Sequence, residues 1–149
     1  MDPVWKFEHA IICPVDLDFA WRFWTHVPNW KLDPDVESIE FDGLFETGAR
    51  GVTHTISSGR IEWRIAEAEP GRAVLEFPAP GAVAIFIWTF EDHERGVRIT
   101  QSVSLQGERA DEYASSFGPA LEGGIPDGMQ RLCDAMTSAA ASATAASRS

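Results

Sequence analysis

The chain has 149 residues, enough for one domain with its own core and too few for two comfortable ones. Its 23 acidic and 12 basic residues give a net charge of −11, which argues against nucleic-acid partners and anionic membrane surfaces, since both need a basic footprint. No apolar run approaches the ~20 residues of a membrane helix, and no basic segment followed by an apolar run opens the chain, so a cytoplasmic protein is expected.

The first segment, "WKFEHAIIC", alternates. Trp5, Phe7, His9, Ile11 and Cys13 share one strand face, with Lys6 and Glu8 on the other. Pro14 ends it. Asp16 then suits a helix cap, with Val15 as a staple residue near Ala20. Leu17, Ala20, Trp21 and Trp24 recur at helical spacing on one face, which Phe19 and Phe23 widen. Asp18 and Arg22 pair on the polar side. Packing against a neighbouring element accounts for Trp21 and Trp24 better than ligand stacking does. Trp30 lies beyond the helix-breaking Pro28, where "PNWKLDPD" allows at most a short second turn, and it either borders a cavity mouth or joins the core.

From residue 36 the period becomes two. "VESIEF", "GVTHTIS", "RIEWRIAEAE", "RAVLEF", "AVAIFIWTFED" and "GVRITQSVSL" read as strands, and short Gly- and Pro-rich turns between them predict an antiparallel meander. Alternation in "IEWRI" and "VRITQSVSL" gives one wet and one dry face. The run over residues 82–92 is apolar on both faces, so either Phe86, Trp88 and Phe90 or Val83, Ile85 and Ile87 point inward.

After Gly107 the helical period returns. "ERADEYASSF" reads as a first segment and "GPALEGGIPDG" as a weak region. Ile125, Met129, Leu132, Cys133 and Met136 then form the apolar stripe of a core-facing helix. Cys13 and Cys133 belong to no C-x-x-C pattern and read as two buried thiols, the usual state in a cytosolic protein.

The order strand, helix, short turn, six strands, long helix resembles the START/polyketide-cyclase (SRPBCC) superfamily. So do "CPVDLDFAWRFWTHVPNW", "FDGLFETGARGVTHT", "IAEAEPGR", "FIWTFEDHERGVRITQSV" and "GIPDGMQRLCDAM" in that order. The resemblance implies an α+β helix-grip fold. A curved antiparallel sheet of about seven strands would wrap a long C-terminal helix, with one or two short helices after the first strand. Residues 1–140 would form a single domain and residues 141–149 a fraying Ala/Ser-rich tail. Members of the superfamily hold hydrophobic small molecules in a cavity between sheet and helix, and some catalyse cyclisation, dehydration or hydrolysis. There is no universal catalytic motif, so a pocket is implied more firmly than a reaction.

Alternation places three polar side chains, His9, His54 and Gln101, on the dry face. Leaving such a group unpaired costs roughly 1–3 kcal/mol, so each needs a partner in the protein, in water or in a ligand. The expected function is binding of a small hydrophobic molecule of the lipid, polyketide or aromatic-metabolite class. Trp63, Phe77, Trp88 and Met129 would form the walls, Trp30 the mouth, and His54 and Gln101 would orient polar ligand atoms. A cyclase/dehydratase-type enzyme is the alternative, with His54 as the candidate general acid or base. A third reading is a protein-interaction module without a ligand. The chain has no G-x-S-x-G elbow, phosphate-cradling loop, dinucleotide fingerprint or closely spaced histidine pair, so neither cofactor nor metal is expected. Oligomeric state stays open.

Overall fold

Seven alternating runs become seven strands. The computed structural model describes residues 5–148, with side chains through residue 143. Its strands are β1 (Trp5–Cys13), β2 (Val36–Glu40), β3 (Arg50–Thr55), β4 (Gly59–Glu69), β5 (Arg72–Ala79), β6 (Ala82–His93) and β7 (Gly96–Gln106). They form one antiparallel sheet in the order β1-β7-β6-β5-β4-β3-β2, so the first strand closes onto the last and hairpins supply the remaining pairs. Gly71 and Gly81 take positive φ in two of the hairpin turns, a conformation that side chains with a Cβ resist. Register shifts in β2 and β4 bend the sheet.

Helix α1 (Leu17–Thr25) starts where the capping chemistry places it, with the Asp16 carboxylate accepting from the Phe19 N–H at 2.8 Å. A short 3-10 helix, Val27–Leu32, follows, with Pro28 in its first turn. Both lie on the concave face of the sheet. Helix α2 (Ala110–Arg148) packs chiefly along β1, with lighter contact to β7 and α1. A Cβ on Gly118 would lie 3.3 Å from the Trp5 indole nitrogen, and Cys133 meets Cys13. Between residues 118 and 133 the helix therefore runs in the direction of β1.

Two features depart from the sequence reading of this helix. Residues 118–128 do not interrupt it, although Pro119 and Pro126 lie inside. An interior proline costs about 3 kcal/mol in an isolated helix; here the flanking turns are anchored at Trp5 and Cys13, and tertiary packing overrides propensity. The backbone of residues 141–148, read as a fraying tail, continues the helix.

The cysteines also differ from expectation. Both are buried, but they form a Cys13–Cys133 disulfide with Cα atoms 5.7 Å apart. Only the path of α2 along β1 brings residues 120 positions apart into bonding reach; local spacing contains no trace of it.

The β6–β7 register settles which face of residues 82–92 is inward. Phe86, Trp88 and Phe90 lie opposite Val103, Gln101 and Ile99 on the concave face. Val83, Ile85 and Ile87 lie on the outer face opposite Gln106, Ser104 and Ser102. The larger rings bury more apolar area, and α1 offers them aromatic partners in Trp21 and Trp24.

Candidate functional site

The concave face can be read rung by rung. Trp5, Leu105, Ala84 and Phe77 form one rung across β1, β7, β6 and β5. Phe7, Val103, Phe86 and Leu75 form the next, and His9, Gln101, Trp88 and Ala73 the third. Ile11, Ile99 and Phe90 follow. Polar side chains are confined to the third of these rungs, in the middle of an otherwise apolar surface.

Gln101 is 8% exposed and is the buried polar residue of the described core. Its amide makes no hydrogen bond within the described residues, and no fully enclosed side-chain nitrogen or oxygen there lacks a partner. The amide must therefore reach accessible space. His9 and Trp88, its cross-strand neighbours, are half-buried and likewise donate to nothing within the described protein. Three hydrogen-bonding groups thus stand side by side with their capacity unused. Phe86 lies on the adjoining rung, and Phe77, one rung further on, packs against it with ring centroids 5.0 Å apart. Met129, 1% exposed, is buried in the core on the α2 side.

The tryptophans of the "DFAWRFWTHVPNW" stretch are core. Trp24 lies 4.8 Å from Trp88, 5.4 Å from Phe45 and 5.5 Å from Phe90, ring centre to ring centre. Trp21 packs edge-on against Phe90 and Phe45. Trp30 donates its indole N–H to the Trp24 carbonyl at 2.8 Å and lies against Trp63. Trp63, 2% exposed, stacks on Phe41 and donates to Thr53 Oγ1 at 3.0 Å. Around α1 and the 3-10 helix this aromatic cluster fills the concave face. Toward β1 the inward side chains are less enclosed: Trp5, Phe7, His9 and Ile11 of β1 and Ala84, Phe86 and Trp88 of β6 are half-buried, while the inward side chains of β7 between them are buried.

His54 is the clear correction. It faces outward, with its Nε2 2.5 Å from Glu40 Oε2 across the β2–β3 pair. The inward positions of β3 are Gly51, Thr53 and Thr55, opposite Trp63, Ile61 and Gly59. The cause is steric. A Cβ on Gly51 would lie 2.2 Å from the Trp63 ring, so only glycine can take the inward place on that rung. Once Gly51 faces in, the period of two turns Val52 and His54 out. Of the residues expected to meet a ligand, the structure therefore brings together Trp88 and Gln101 beside His9, sets Phe77 two rungs away behind Phe86, places Met129 and Trp63 in the core with Trp30 packed against it, and separates His54 from all of them. His9 was visible on the dry face, but its pairing with Gln101 depends on the first strand joining the last.

The His9–Gln101–Trp88 rung can donate to and accept from one polar group of a ligand while the phenylalanines meet its apolar body. Among the described residues no cluster of three or more His, Cys, Asp or Glu is placed to hold a metal ion, and no helix is long and apolar enough to cross a membrane.

No protein-family model and no curated protein matches the chain. Solved structures do. A protein of unknown function from Staphylococcus aureus matches with a TM-score of 0.73 at 12% identity, over 91% of this chain and 95% of the other. Norcoclaurine synthase from Thalictrum flavum, solved with dopamine and hydroxybenzaldehyde, matches with a TM-score of 0.70 at 11% identity, over 90% and 87%. Ara h 8.0201 matches with a TM-score of 0.68 at 16% identity, over 90% and 98%. Near-complete coverage in both directions at this similarity establishes that the chain has the helix-grip fold.

Proposed function

We propose that the protein binds a small, largely apolar molecule carrying one hydrogen-bonding group, held on the concave face beside α2. The single observation behind this is Gln101, a nearly buried amide without a protein partner, flanked in register by His9 and Trp88. Leaving such an amide unpaired costs roughly 1–3 kcal/mol, and a ligand's polar atom would recover it. Solved relatives of this fold include one with two small aromatic molecules bound, which agrees with an aromatic ligand here. The lipid and polyketide classes stay within the proposal, because the phenylalanine rungs offer apolar surface without a defined shape. His9, Phe77, Trp88 and Gln101 are the proposed contacts, with Met129 supporting them; His54 is not among them.

A cyclase/dehydratase role loses His54 as its base, and no other observation favours turnover. The proposal includes residues 1–140 as one domain, no cofactor, and no nucleic-acid or membrane partner, the last two resting on the acidic charge. The proposed compartment is the cytoplasm, where glutathione would hold Cys13 and Cys133 as a dithiol and the disulfide would be the state met after oxidation.

The test is Gln101→Leu. Removing an unpaired amide should leave stability unchanged or raise it by up to about 1 kcal/mol. The same change should weaken binding of 2-naphthol, a neutral aromatic probe with one hydroxyl, by about threefold to tenfold. Lower stability with unaltered binding would mean that the amide serves the fold and not a ligand.

A further inference from the structure

The outer face of the sheet carries a second feature, unrelated to the concave site. Strands β4 and β5 pair from Glu69↔Arg72 only as far as Arg64↔Glu76. Pro78 then lacks the N–H needed to continue the ladder, and the first residues of β4 part from the last of β5. A cleft of about 470 Å³ opens there, with Pro78 on one lip and Glu62, Trp63 and Arg64 on the other, while Arg50 and Val52 extend it across β3. This volume falls within the ~300–1,000 Å³ typical of small-ligand sites.

Its charges are unevenly matched. Arg50 and Arg64 stand directly opposite each other on the outer face, an arrangement that like charges disfavour. Arg64 is neutralised by Glu76. The two carboxylates that line the cleft are occupied, Glu40 by His54 at 2.5 Å and Glu62 by Arg60 at 2.8 Å. The Arg50 side chain is left without a hydrogen bond or ion pair among the described residues, in a chain where acidic side chains outnumber basic ones 23 to 12. A guanidinium fork matches a carboxylate in bidentate geometry, and Val52 and Pro78 offer apolar surface beside it.

We infer that this cleft binds a small organic carboxylate, its anionic end held by Arg50 with Arg64 alongside and its apolar body against Val52 and Pro78. The test is a titration of the ¹⁵N-labelled full chain with benzoate, acetate and inorganic phosphate, following backbone amides and arginine Nε–H signals. Benzoate should saturate and shift Arg50, Val52 and Arg64, with acetate and phosphate binding more weakly. Arg50→Gln should raise the benzoate Kd about tenfold or more, the worth of a lost charged hydrogen bond. Arg50→Lys, which keeps the charge without the fork, should fall between, and Arg131→Gln, an exposed arginine on α2 away from the cleft, should change little. Thermal melts will show that these exposed substitutions leave the fold intact. Benzoate shifts that do not saturate, phosphate or acetate binding as tightly as benzoate, or an Arg50→Gln variant that binds like wild type would each overturn the inference.

Discussion

Reduction of the Cys13–Cys133 disulfide isolates the contribution of one cross-link without removing an atom from the core. The bond closes a loop of 120 residues, and the chain-entropy relation gives about 5 kcal/mol at 25 °C for a loop of that size. This is an upper value, because a denatured chain with residual structure loses less entropy on cross-linking. At a few degrees per kcal/mol for a chain of this length, the melting point should fall by about 10–20 °C. Urea unfolding of the oxidised protein and of protein held in a phosphine reductant measures the difference directly. The reduced protein should also show a steeper dependence on urea, since its unfolded state exposes more surface. The Cys13→Ala/Cys133→Ala double variant should behave like the reduced protein, with a further loss from two missing sulfur contacts in the core. Two reactive thiols under denaturant in protein first treated with a mild oxidant in its folded state, or an oxidised protein whose midpoint does not move with reductant, would refute the cross-link and return the two cysteines to independent core positions.

Trp24→Ala should destabilise by about 3–5 kcal/mol, the cost of emptying an aromatic core site, because Trp24 meets Trp21, Trp30, Phe45, Trp88 and Phe90; a loss below about 1 kcal/mol in urea melts would show that the cluster is not packed as described. Gly51→Ala should cost about 1–3 kcal/mol through overpacking against Trp63, and a neutral result in the same assay would undo the steric account of why β3 turns His54 outward. His54→Phe should change stability by no more than about 1 kcal/mol, since it removes a partly exposed pair with Glu40, and it should leave 2-naphthol affinity unchanged.

How far the sequence could be read depends on how local the deciding contact is. Strand periodicity, the Asp16 cap and the Gly- and Pro-bearing turns depend on neighbours within a few residues, and each produced its element where expected. The strand containing His54 failed because its alternation carries two signals of opposite sense. Val52 and Ile56 suggest one inward face, while Gly51 is compelled inward by Trp63, a residue on the next strand. The run over residues 82–92 gave no answer because both faces are apolar; α1 decides it by supplying Trp21 and Trp24. The glycines and prolines of residues 118–128 locally argue against helix, and anchors far away in sequence overrule them. The candidate site was half legible. Gln101 and Trp88 were identified singly, but the rung that joins them to His9 exists only because β1 pairs with β7.

The claim on which the functional account turns is that an apolar molecule with one polar group sits against the His9–Gln101–Trp88 rung. Intermolecular nuclear Overhauser contacts between 2-naphthol and the ¹³C,¹⁵N-labelled protein locate the probe without assuming its site. The account predicts contacts from the probe's ring protons to Trp88, Phe86 and His9, with a perturbed Gln101 side-chain amide. Saturable binding with contacts confined to the outer face, or contacts that appear only after the protein unfolds, would contradict it.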